Sequence, residues 1–167
     1  EHKSKVQGIV DFTEVPSPYL SGEIPISNKQ KKVRLETKRG CPYRCSFCAH
    51  RDLTFNKMYK HDLDKIFQEI ALFKERKVEK INIIDPIFNT GKDYLIVMEE
   101  MKRVHLSSLV SVQARFETIE GEKGEKFLDL CQSLNFNLEF GLKTAIEAES
   151  IIINRKNNPT KIKKVME

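Results

Sequence analysis

The tightest constraint on this chain is the stretch Cys41-Pro42-Tyr43-Arg44-Cys45-Ser46-Phe47-Cys48, which carries three thiols at C-x3-C-x2-C spacing. One short loop of this kind can wrap its thiolates around a single iron–sulfur cluster. A [4Fe–4S] cube has four irons and is usually held by four thiolates. Three local thiolates leave one iron without a cysteine, and that open corner is where chemistry can occur. The fourth cysteine, Cys131, falls in the apolar helical pattern of Phe127, Leu128, Leu130 and Leu134. A small buried thiol is the expectation there.

Two other uses of the thiols stand beside the cluster. Cys41, Cys45, Cys48 and His50 can be read as a Cys3His zinc set. That would make the chain a non-catalytic, zinc- or cluster-stabilised binding module. A disulfide framework fits less well, because the thiols are clustered and no signal peptide is evident. Free thiols without a secretion signal place the expected compartment in the reducing cytoplasm.

At 167 residues the chain is one domain by length and can bury a real core. Its 29 Lys+Arg against 24 Asp+Glu give a net charge of +5, with basic residues spread out. The basic run at 29–39 reads as a solvated edge, so nucleic acid is not indicated. No apolar run has the length of a membrane span.

Strand and helix patterns alternate along the chain. Residues 1–32 lack sustained periodicity, and the two prolines and glycine between Val15 and Gly22 mark a connector. Strands are expected at 33–37, 80–85, 110–116 and 137–142, from alternation or a continuous apolar run. Between them lie helical stripes. The first runs from Asp62, a suitable N-cap, to about Lys77. The second carries Tyr94, Leu95, Val97, Met98, Met101 and Val104, and the third spans 123–134 with Asn135 as its cap. A helix at 146–153 is expected next, and Thr160 should cap another. This order implies an α/β fold: four βα units with right-handed crossovers and a parallel sheet. Arg34, Glu36, Gln113, Arg115, Glu139 and Lys143 fall on the polar faces of the strands. They are expected to line an open, curved interior, with a site at the carboxyl ends of the strands.

The cysteine loop resembles the signature of the radical SAM superfamily, C-x3-C-x-aromatic-C, with Phe47 as the aromatic. The wider text from Glu36 to Cys45 is similar to the cluster loop of members that often follow a cobalamin-binding domain. The resemblance implies a partial (β/α)6 barrel, of which residues 33–167 would supply four units, truncated before strands five and six. Residues 1–32 would be the connector from a preceding domain. No D-x-H-x-x-G occurs, so a cobalamin-binding domain would lie before Glu1.

As cofactors the resemblance implies a [4Fe–4S] cluster on Cys41, Cys45 and Cys48, and S-adenosylmethionine on the open iron. An external electron donor would drive cleavage of S-adenosylmethionine to a 5′-deoxyadenosyl radical, which abstracts hydrogen from an unknown substrate. Phe47 would pack over the cluster. Asp85 and its following loop sit where relatives contact the methionyl amino group, and Gln113 at a polar strand position near the cofactor. The stretch from Glu139 to Thr144 is similar to E-x-G-[LI]-Q-[ST], with Lys143 in place of the glutamine. Arg155 matches the arginine that pairs with the methionyl carboxylate. Lacking two strands, the isolated chain is expected to be inactive or uncoupled, and to dimerise through the open edge of its fourth strand.

Overall fold

The computed structural model describes residues 11–49, 57–155 and 158–166. His50, on which the zinc set depends, and residues 1–10 of the connector lie outside the described residues. Four parallel strands form the main sheet: β1 (Val33–Leu35), β4 (Lys80–Ile83), β5 (Leu109–Ala114) and β6 (Phe136–Phe140), in the order β1-β4-β5-β6. Two shorter strands, β2 (Lys38–Gly40) and β3 (Met58–Lys60), make a separate antiparallel pair with Lys38 opposite Lys60.

Helices fill the connections, as parallel pairing requires. α1 is Leu63–Glu75, α2 Asp93–Arg103, α3 Gly121–Ser133, α4 Glu147–Ile152 and α5 Pro159–Met166. The Asp62 carboxylate accepts from the Asp64 N–H at 2.6 Å and the Lys65 N–H at 3.3 Å, and so caps α1 as its sequence predicts. α2 touches both α1 and α3. Beneath them Phe73, Phe88, Phe127, Ile70, Ile81 and Val110 are fully buried. Each such side chain contributes about 1.5–3 kcal/mol relative to exposure. Among the described residues no helix is long and apolar enough to cross a membrane.

The boundaries differ from the sequence reading in instructive places. β1 stops at Leu35 because the Thr37 N–H leaves the ladder and donates to Asp85 Oδ1 at 2.8 Å. α3 is capped at Leu134 rather than Asn135, whose carbonyl already accepts from the Val110 N–H at 2.8 Å as the lead-in to β6. α5 begins at Pro159, one residue before the expected Thr160 cap, with the Asn158 carbonyl accepting from the Ile162 N–H.

Part of the connector belongs to the core. Ser17 is buried and donates to Glu69 on α1, while its hydroxyl accepts from the N–H groups of Tyr19 and Leu20 at 3.2 Å. Burial pushes the Glu69 carboxyl up, against the opposing pull of that hydrogen bond. The Tyr19 ring meets Phe73 edge-on at 5.3 Å. Its hydroxyl donates to the Arg34 carbonyl at 2.8 Å and accepts from the Arg34 N–H at 3.2 Å. One phenol thus satisfies both backbone groups that β1 presents on its outer edge.

Candidate cluster site at the strand ends

The three thiols lie on the segment between β2 and β3. Gly40 opens it with φ 99°, and a Cβ there would lie 2.1 Å from the Lys57 carbonyl oxygen. Only glycine fits this crossing. Cys41 and Cys45 are buried and Cys48 half-buried, and all three are free thiols. They share a cavity of about 360 Å3 with Phe47, Gln113, Glu139, Lys143 and Arg155. Four of the six non-cysteine positions expected at the cofactor are therefore brought together. Thr144 lies in an adjoining recess with Phe47 and Lys143.

Among the described residues no three His, Cys, Asp or Glu side chains converge on a point that one metal ion can occupy. A cube puts each thiolate on a different iron, and the three thiols line one cavity. The donor set fits a cluster.

The loop and its entrance are supported from the ends of β4, β5 and α4. Past β4, Asp85 is 1% exposed. Its carboxylate accepts from the Thr37 N–H, the Lys38 N–H at 3.3 Å and the Thr37 hydroxyl, and lies 3.8 Å from Lys38 Nζ. Lys38 in turn donates to the carbonyls of Phe88 and, at 3.0 Å, Thr90. Burial lowers the Lys38 amine to about 8, against the attraction of Asp85. Burial also raises the Asp85 carboxyl, against Lys38 and the Thr37 hydrogen bonds. Asp85 is thus committed to the loop entrance. It lines not the thiol cavity but a neighbouring one of about 260 Å3, with Asn82, Ser111, Gln113 and Glu139.

Past β5, Arg115 departs from its expected place on the open inner face: it is 4% exposed. Its guanidinium lies 3.8 Å from the Tyr43 ring centroid. Nη1 is 3.9 Å from Cys45 Sγ, and Nε donates to Glu117 Oε2 at 3.0 Å. Asn89 fixes its backbone, donating to the Arg115 carbonyl and accepting from the Arg115 N–H, each at 2.9 Å. Past α4, the Ser46 N–H donates to the Ile153 carbonyl at 3.0 Å and Asn154 Nδ2 to the Arg44 carbonyl at 2.8 Å. The contacts of Arg115, Asn89 and Asn154 were not expected from sequence, because each depends on which strand ends become neighbours.

Burial pushes the Cys41 thiol up, and the neighbouring Cys48 and Cys45 add to this; the Tyr43 backbone and Arg115 oppose it. Cys131, half-buried on α3 beside the core, is raised to about 12 by burial, as befits a packing thiol. Phe47 is 49% exposed, with Lys143 Nζ 5.4 Å from its ring centroid. Glu36 also leaves the expected inner face. Its carboxylate takes Arg39 at 2.7 Å and His61 at 3.0 Å beside the β2–β3 pair.

Residues 35–167 match the family described as the radical SAM superfamily. The chain belongs to that superfamily. Membership brings a [4Fe–4S] cluster and S-adenosylmethionine as cofactors. The chain is 35% identical over 82 residues to the 2-(S-pantetheinyl)-carbapenam-3-carboxylate methyltransferase of Streptantibioticus cattleyicolor, a match covering 45% of this chain and 12% of that protein. It is 32% identical over 91 residues to the cobalamin-dependent radical SAM methyltransferase TokK of Streptomyces tokunonensis, covering 50% of this chain and 13% of TokK. The fold is similar to that of the radical SAM methyltransferase TsrM from Kitasatospora setae, solved with tryptophan substrate and a SAM analogue bound. That likeness has a TM-score of 0.67 at 16% identity and covers 83% of this chain and 28% of TsrM. A second TsrM structure, with cobalamin and a [4Fe–4S] cluster, gives 0.64 at 17% identity, over 81% of this chain and 28% of that one. The chain therefore spans a small part of the relatives it matches.

Proposed function

We propose that this radical SAM chain holds its cluster on Cys41, Cys45 and Cys48 and forms the cofactor-binding part of an enzyme that starts its reaction by hydrogen abstraction from substrate. The observation that carries this reading is the shared cavity at the strand ends, which gathers the three thiols with Gln113, Lys143 and Arg155. When bound, the cluster supplies one electron that splits S-adenosylmethionine to a 5′-deoxyadenosyl radical. Arg155 and Lys143 give the cavity wall positive charge suited to the methionyl carboxylate. Gln113 offers an uncharged polar contact, and Phe47 an apolar wall beside the thiols. Asp85 holds the loop entrance, and the residues that follow it, Pro86 and Ile87, line the thiol cavity. The methyltransferase relatives favour methyl transfer, with cobalamin held outside this chain, as the overall reaction of the whole protein.

Anaerobic reconstitution with iron and sulfide tests the ligand set. The chain is expected to take up about four irons and absorb broadly as a thiolate-bound cube does. Cys45→Ala is expected to lose most of that iron, while Cys131→Ala keeps it. Undiminished loading of Cys45→Ala, or stoichiometric zinc in place of iron, sinks the assignment.

A further inference from the structure

We propose that Arg115 sets the reduction potential of the cluster through Cys45. It is a positioning and electrostatic residue rather than a catalytic one, and this role rests on the assignment of Cys45 as a ligand. Three observations combine. The guanidinium is buried, so its charge is weakly screened. Nη1 lies 3.9 Å from Cys45 Sγ, close enough for an N–H to point at sulfur. Its freedom is removed from both ends: Tyr43 stacks on the guanidinium at 3.8 Å, and Asn89 clamps the backbone with two hydrogen bonds.

The physical consequence has a sign. One electron from an external reductant makes the cluster and its thiolates more negative by one charge. A fixed cation beside one thiolate stabilises that reduced state and raises the potential. Charge, hydrogen bonds to sulfur and solvent exposure are the levers that tune such clusters. Glu117 sits on the far side of the guanidinium, on Nε, and partly offsets the cation. The pair therefore makes an adjustable dipole, with its positive end on Cys45 and its negative end on Glu117.

The test is a dithionite titration of the reconstituted chain, followed by the paramagnetic signal of the reduced cluster. Arg115→Gln is expected to lower the reduction equilibrium about tenfold, which is about 59 mV for one electron. Arg115→Lys restores most of it, and Glu117→Gln shifts it upward. A packing role cannot move the two neutralising variants in opposite directions. If Arg115→Gln loads iron and titrates like the parent, the proposal is overturned. If Arg115→Gln does not load, Glu117→Gln decides alone: an upward shift supports the proposal and no shift overturns it. Full iron in Cys45→Ala is a separate result, which overturns the ligand assignment instead.

Discussion

Asp85 and Arg115 occupy equivalent places, just past neighbouring strands β4 and β5, and both are buried charges, one at the entrance to the cysteine loop and one beside Cys45. Their contacts differ in kind. Asp85 accepts from two backbone N–H groups and a hydroxyl at the loop entrance, with Lys38 alongside, so its bonding capacity is turned away from the thiols. Arg115 spends its backbone on Asn89 and points its side chain at Cys45 and Tyr43. The first arrangement holds the loop in place. The second leaves a charge aimed at sulfur. Two residues of the same burial can thus serve stability in one case and the electronic properties of a site in the other. The direction of the polar atoms, and not burial, tells them apart.

The largest effect should follow from Asp85→Ala. It strands Lys38 without its counter-charge, and breaking a buried pair in this way costs about 3–5 kcal/mol. Urea unfolding of the apo chain is expected to show this loss. Loss of less than a tenth of that would break the comparison, since Asp85 would then not hold the loop.

Asn89→Ala should be milder and sharper. It leaves the Arg115 N–H and carbonyl without their partner, at about 1–3 kcal/mol of stability. The loaded variant is expected to move in potential in the same direction as Arg115→Gln, by less. An unchanged potential would mean that the Tyr43 stack alone fixes the guanidinium.

A further effect concerns pH. Folding lowers the Lys38 amine from 10.5 to about 8 by burial. Between those values the unfolded chain binds more protons than the folded one, so this group makes stability rise with pH across the window. Lys38→Met removes that contribution. The change in urea midpoint between pH 7.5 and pH 10 is therefore expected to be less positive in Lys38→Met than in the parent.

Much of the fold was legible because the strands of the main sheet announce their buried sides locally. Val33 and Leu35 alternate with Arg34, and Val110, Val112 and Ala114 alternate with polar residues. The gathering of the three thiols in one place was legible from their spacing. The reading failed where a residue's fate depends on a partner far along the chain. Arg115 continues the polar alternation of its strand, yet the strand has already ended, and Tyr43 and Glu117 draw it inward. Glu36 likewise leaves the sheet once the Thr37 N–H turns to Asp85. The β2–β3 pair has only three residues in each strand and carries no alternation long enough to read.

The phenol of Tyr19 gives the main sheet a direction of growth. It occupies both hydrogen-bonding groups of Arg34, so the β1 flank offers no docking template. Among the described strands, β6 is the opposite flank, and no strand pairs with its outer side. Extension of the sheet, by whatever strand, is thereby confined to the β6 flank.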